Sequence, residues 1–210
     1  MKLENLLANV IKEYTEVRGK KIEELYYNVE PEVIKWARLH AQFFIDRYKG
    51  APEDIHWPEE DERKNYIGMI GHKCFDLTLT QFEIPKVPND PVVMWTWNRP
   101  YDFNVPEFGT VEVKTIDFQL NQKRLIIRES NWHKCDWVVA VKLLDALPTK
   151  VKIVGAATKE EVENNFHFSE EGEFPCFKAS CYWKFLEDLA PALPFFDTIM
   201  HACQKVSGRK

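Results

Sequence analysis

The stretch Tyr101–Thr115, Tyr-Asp-Phe-Asn-Val-Pro-Glu-Phe-Gly-Thr-Val-Glu-Val-Lys-Thr, constrains the fold more than any other part of the chain. Tyr101, Phe103 and Val105 alternate with Asp102 and Asn104, and Val111 and Val113 alternate with Glu112 and Lys114. Successive side chains on a strand point to opposite faces, so a period of two marks a half-buried strand. Two such segments about a Pro-Glu-Phe-Gly turn predict a hairpin. One face is apolar, and Asp102, Glu112 and Lys114 share the other. A plain four-residue loop over Pro106–Gly109 would pair Asp102 with Val113 and turn the acid to the wrong face. The pattern therefore predicts a three- or five-residue connection, or a bulge.

Two carboxylates on adjacent strands suit a hard divalent cation, Mg²⁺ or Mn²⁺, bound through oxygen, with the backbone carbonyl of Val113 as a third donor. Such a cation lowers the pKa of a ligated water and neutralises charge developing on a phosphate. Lys114 lies on the same side of its strand as Glu112, where it can orient the attacking water or stabilise negative charge. An amphipathic surface hairpin carries the same residue types simply to stay wetted. The pattern by itself leaves both readings open.

This stretch resembles the core motif of the PD-(D/E)XK nuclease superfamily, the restriction-endonuclease-like fold. Asp102 matches the motif Asp, Glu112 the (D/E) position and Lys114 the Lys, while Pro100 stands one place earlier than the motif proline, with Tyr101 between. Upstream, Gly68-Met69-Ile70-Gly71-His72 is similar to a Gly-x-x-Gly-Glu helix found in several branches, with His72 where the acid stands. His72 is then either an accessory member of the site or a packed residue. Val154–Glu161 looks like a recurring ending of nuclease-like members.

The resemblance covers about Lys64–Val162. It implies an α/β fold with a central mixed β-sheet flanked by helices. It also implies Mg²⁺- or Mn²⁺-dependent hydrolysis of DNA phosphodiesters by activated water, in a restriction-like or junction-resolving endonuclease. Catalysis would fall to Asp102, Glu112 and Lys114, and the metal to Asp102, Glu112 and the Val113 carbonyl. The competing expectation is a non-catalytic DNA-binding or assembly protein that keeps the fold.

The remainder of the chain is read around that centre. With 210 residues, 45% hydrophobic and 29% charged, it is long enough for one well-buried domain with an extension. Apolar residues at helical spacing, Leu3 to Tyr14 and Val33 to Tyr48, predict an N-terminal helical extension over 1–50, with Gly19 separating two helices. Residues 51–210 form the expected nuclease-like domain, ending in a C-terminal helical cap from Cys181 to Cys203. A helix running to about Gln81 contains Gly68 and Gly71. Both weaken a helix, so their presence predicts a close approach to the sheet. Strands are expected at Val92–Trp97, Asp136–Leu144 and Val151–Ala156, Arg124–Arg128 is either a strand or the end of a loop, and a capped helix starts from Thr158 with Glu161 three residues on.

Lys123, Arg124, Arg128 and Lys134 form a candidate DNA-contacting rim. Around them, Arg128–Asp136 is either a phosphate-meeting segment or a surface loop anchored by Trp132. Five cysteines without regular spacing fit packed thiols rather than disulfides or a metal cluster. A net charge of −5 argues against a wholly basic nucleic-acid binder but leaves room for a local basic cleft. No apolar run is long enough for a bilayer, so a soluble, cytoplasmic protein without a membrane partner is expected. A homodimer is expected too, because cutting two strands is simplest with two sites related by a dyad.

Overall fold

A computed structural model describes residues 10–17, 20–48, 62–87, 101–118, 123–132, 135–173 and 179–207. In chain order these hold β1 (Val10–Val17), β2 (Lys20–Asn28), α1 (Pro31–Tyr48), α2 (Glu62–Gln81), β3 (Phe103–Val105) and β4 (Gly109–Ile116). Then come β5 (Arg124–Arg128), α3 (Glu129–Trp132), β6 (Trp137–Leu143), β7 (Lys150–Thr158) and α4 (Lys159–Asn165). The chain continues through β8 (His167–Ser169), β9 (Cys181–Phe185), the two-residue β10 (Ala190–Pro191) and α5 (Ala192–Ser207).

The main sheet is mixed, in the order β1-β2-β7-β6-β4-β3, with β10 added to β7. Its parallel pair is β4 with β6, and the other pairs are antiparallel. β6 lies inside the sheet, and Val138, Val139, Ala140 and Val141 are all buried, as a strand covered on both faces requires. One face is covered by α1, α2 and α5, whose Ala37, Ile70, Phe75 and Phe196 pack with Val111, Val139 and Ile153. The other face packs Ile116, Val138 and Ala140 against Leu125, Ile127, Trp132 and Val162. Leu125 and Ile127 belong to a second, three-stranded sheet, β5-β9-β8. The chain is thus α/β, with a central mixed sheet and helices on its flanks.

The N-terminal region corrects the expectation of a helical extension. Residues Val10–Asn28 form two antiparallel strands, and β2 joins the central sheet by pairing Leu25 with Ile153 and Tyr27 with Val151. Only Pro31–Tyr48 is helical within the described part of residues 1–50. Helical spacing of Val10, Ile11 and Tyr14 is outweighed by what β7 offers, an otherwise open edge more than 120 residues away. Gly19 itself lies outside the described residues, as do Val92–Trp97.

A second correction falls in the C-terminal cap, where Cys181–Phe185 is a strand and helix begins only at Ala192. Aromatic content suits β9 to a sheet, and Pro194 sits in the first turn of α5, where a proline is tolerated. The α4 start holds as expected. Thr158 Oγ1 accepts from the Glu161 N–H at 3.0 Å, and Glu161 Oε2 accepts from the Thr158 N–H at 2.7 Å.

Between α2 and the segment that follows it, Asp76 binds Lys73 at 2.7 Å and also receives Lys86. Burial raises the Asp76 pKa, but Lys86 and Lys73 outweigh it and hold the carboxyl below its ordinary 3.8. A depressed folded-state pKa gives stability that is complete above the unfolded value and is lost as pH falls through the folded one. Thermal melts from pH 5 down to pH 2 should therefore show a loss of stability that is shallower in Asp76→Asn than in wild type. Equal slopes would show that this cluster carries no linkage.

Candidate active site

The β3–β4 hairpin pairs Phe103 with Val111, Asn104 with Thr110 and Val105 with Gly109. Three residues, Pro106, Glu107 and Phe108, therefore make the connection, as the core-face argument demands. Glu107 takes a left-handed conformation with φ 64°, and Gly109 follows with φ 117°. A Cβ on Gly109 would stand 2.7 Å from Asp136 Oδ2, so only glycine fits this corner. That carboxylate accepts from the Thr110 N–H at 2.8 Å and the Thr110 hydroxyl at 2.7 Å. The two Thr110 bonds hold the Asp136 pKa below the usual carboxylate range. Asp136 thereby clasps the start of β4 to the start of β6. Nothing in the sequence signals this clasp, because its two halves lie 26 residues apart.

Along β4 the strand alternation separates two faces. Val111 and Val113 join the core under α2. Thr115 points the same way and meets Gly71, where a Cβ would stand 1.9 Å from Thr115 Oγ1. The expected close approach of α2 to the sheet is therefore made by Gly71. Gly68 has nothing within 4 Å of its would-be Cβ, so packing does not explain that glycine.

Glu112 and Lys114 point to the opposite face, with Ile116. Lys114 Nζ donates to Glu112 Oε1 at 2.6 Å, and both side chains are about a quarter exposed. Behind them sits Cys135, whose thiol pKa is pushed up to about 12, by burial first and then by the Glu112 charge. An inert thiol beside the pair fits the expectation of packed cysteines.

Asp102 departs from the simplest form of the hairpin. Its N–H donates to the Val111 carbonyl at 2.9 Å, although Val111 is already opposite Phe103, so the ladder slips by one residue here. Its Oδ2 accepts from the Val113 N–H at 2.6 Å. Strand N–H groups point along the sheet toward the neighbouring strand. The carboxylate thus lies at the edge of the sheet, level with the β4 backbone, rather than standing on Glu112's face. The residue it grips is the one between Glu112 and Lys114. Asp102 is 3% exposed, and its Oδ1 lies 4.0 Å from Nε2 of His72, itself 7% exposed.

His72 belongs to α2 and stacks on Phe103 with ring centroids 4.5 Å apart. It is brought to Asp102, whereas Lys114 is brought to Glu112; Val113 joins the two halves.

The donor set suits a hard cation. Mg²⁺ is commonly held by one or two carboxylates while keeping several waters, and here Asp102 accepts from the Val113 N–H while Glu112 accepts from Lys114. No group of three or more His, Cys, Asp or Glu side chains in a metal-holding arrangement occurs among the described residues. A site built from Asp102, Glu112 and the Val113 carbonyl uses two carboxylates and the backbone.

The candidate rim is divided. Lys123 and Arg128 are exposed, and Arg124 is partly covered. All three belong to β5 or its approach, on the side of the main sheet to which Glu112 and Lys114 point. Trp132 is fully buried in the second core, which bears out its anchoring role. Lys134 lies outside the described residues. None of the described helices is long and apolar enough to cross a membrane. No family model, curated protein or solved structure matches the chain.

Proposed function

We propose that this protein is a metal-dependent deoxyribonuclease of restriction-endonuclease-like fold, hydrolysing DNA phosphodiesters with an activated water. One observation carries the reading: the Asp102 carboxylate binds the backbone of the residue that separates Glu112 from Lys114. Supporting it, once β5 and α3 between β4 and β6 are set aside, the order is helix, hairpin, strand, strand, helix as α2, β3–β4, β6, β7 and α4, the order expected of that fold. Asp102, Glu112 and the Val113 carbonyl would hold Mg²⁺ or Mn²⁺. When bound, such a cation supplies charge neutralisation at the phosphate and a more acidic water. Lys114 pairs with the Glu112 carboxylate and presents an ammonium group where negative charge develops. His72 lies beside Asp102 on the α2 side, its Nε2 4.0 Å from Oδ1.

A second reading is a non-catalytic DNA-binding or assembly protein that retains the fold. The near-complete burial of Asp102 favours it, since that carboxylate also serves to cap an open strand amide. Incubation with supercoiled, linear, single-stranded and branched DNA, each with Mg²⁺ or Mn²⁺, separates the two. Metal-dependent cleavage of any of them, abolished by Glu112→Gln, is the expected result. Intact DNA in every arm would leave the non-catalytic reading.

The proposed nuclease works as a homodimer. Leu39 and Phe43, one turn apart on α1, are 68% and 49% exposed and offer an apolar contact surface. Light scattering should return twice the 24.8 kDa chain mass. A monomer mass at assay concentration would remove the two-site scheme.

A further inference from the structure

The β5-β9-β8 sheet has one face that belongs to neither core. Its inner face carries Leu125 and Ile127, buried against Trp132 and Val162. Pairing puts Ile126, Trp183 and His167 in one cross-strand row on the other face, with Arg124 beside Phe185 in the next. All five are at least partly exposed, and Ile126, Trp183 and Phe185 pack against neither apolar cluster. Four of them, His167, Trp183, Arg124 and Phe185, form a continuous row of stacked rings and guanidinium. The His167 and Trp183 rings stack with centroids 4.4 Å apart and planes 24° apart. The Arg124 guanidinium lies 4.4 Å from the Trp183 centroid and 5.1 Å from that of Phe185. Trp183 is fixed in place by donating its indole N–H to Ser169 Oγ at 3.0 Å.

Charge selects the occupant. The outward residues of the three strands include Arg124 and Arg128 and no acid, and Lys123 is exposed at the start of β5. Acids flank the strand ends, with Glu170–Glu173 after β8, Glu129 after β5 and Glu187 and Asp188 after β9, so a polyanion meets favourable charge along β5 itself, at Arg124 and Arg128. Flat aromatic and guanidinium groups on a sheet, bordered by cations, match what an unpaired polynucleotide needs. Bases extend the stack, and phosphates meet Arg and Lys. A duplex, with its bases already stacked, gains only the phosphate part.

We infer that this face is a single-stranded DNA site, which holds an unpaired segment of the substrate by stacking its bases on His167, Trp183 and Arg124. The inference rests on the nucleic-acid partner proposed above, but it does not depend on cleavage.

The test is fluorescence anisotropy of a labelled thymidine oligonucleotide, and of a blunt duplex of equal length, with the intact protein in EDTA. The oligonucleotide should bind at least tenfold more tightly than the duplex. His167→Ala and Trp183→Ala should each weaken it by about five- to a hundredfold, the range for one lost base stack, and leave the duplex unchanged. Arg128→Gln should weaken both probes and lower the salt slope by about one. His167 is exposed, so its variant tests the inference even where Trp183→Ala perturbs β9. Equal affinity for the two probes, or an oligonucleotide affinity untouched by His167→Ala, overturns the site. Loss of oligonucleotide binding in these variants, with no cleavage by wild type under any metal, would remove the nuclease reading and keep this one. Cleavage by wild type with an indifferent His167→Ala would do the reverse.

Discussion

Glu112→Gln and Lys114→Ala should each lower DNA cleavage by orders of magnitude, but only Glu112→Gln should also weaken the effect of Mg²⁺ on thermal stability. The difference follows from what each side chain gives the site. Glu112 is a proposed ligand, so its loss removes both metal affinity and turnover. Lys114 donates to Glu112 at 2.6 Å and leaves both carboxylates in place when truncated. A partly exposed pair of this kind contributes about 0–1 kcal/mol, so Lys114→Ala should still fold.

A metal that binds only the folded form stabilises it by about 2.7 kcal/mol at a hundred times its Kd. For a chain of this size that is about 5–10 °C in Tm. Wild type and Lys114→Ala should show this rise, and Glu112→Gln much less of it. Loss of one preorganised stabiliser of transition-state charge typically costs about 10²–10³ in kcat. Asp102→Asn should resemble Glu112→Gln in activity, with its fold retained because an amide oxygen still accepts from Val113. The measurements are differential scanning fluorimetry with and without Mg²⁺, and initial cleavage rates. Cleavage by Lys114→Ala at the wild-type rate, with no stabilisation of wild type by metal, would remove the assignment.

The second large effect is on folding. Gly71→Ala should destabilise the protein by about 1–3 kcal/mol, the usual cost of overpacking, whereas Gly68→Ala should stabilise it by about 0.5–1 kcal/mol through helix propensity. The same substitution thus changes sign three residues apart on α2. At Gly71 the new methyl would meet Thr115 Oγ1 at 1.9 Å, Cγ2 at 2.7 Å and Cβ at 2.8 Å. Turning the Thr115 side chain relieves the first two contacts but not the third, so α2 must move off β4. At Gly68 the methyl meets nothing within 4 Å. Urea melts decide the matter, and Thr115→Gly in the Gly71→Ala background should restore much of the loss. Gly71→Ala as stable as wild type would mean that α2 has room to move. Because Thr115 adjoins Lys114, any displacement of β4 in the folded Gly71→Ala protein should also lower cleavage.

Local chemistry made much of this legible before the fold was known. The two-residue period of Tyr101–Val105 and Val111–Val113 predicts the hairpin, and its apolar face narrows the connection to three or five residues, or a bulge. Thr158 and Glu161 predict the start of α4, because a capping box is complete within four residues. The unbroken apolar run of β6 marks a strand buried on both sides. Gly71 announces a close approach, although the sequence does not distinguish it from Gly68.

What the sequence did not disclose depends on partners far along the chain. Val10–Tyr14 has spacing compatible with a helix and becomes sheet in β1 because β2, its hairpin partner, completes the edge of β7, at a separation only the folded chain closes. Cys181–Phe185 becomes a strand for the same reason, finding β5 across a gap of more than 50 residues. The Asp136–Thr110 clasp and the face shared by Arg124, Trp183 and His167 are likewise products of register. The position of Asp102 is the clearest case. Alternation assigns it to the face of Glu112, but a one-residue slip brings its carboxylate to the backbone of Val113 instead. Periodicity determines which side chains an isolated strand shows to each face; hydrogen-bond partners on other strands decide where a residue at the strand's end finally lies.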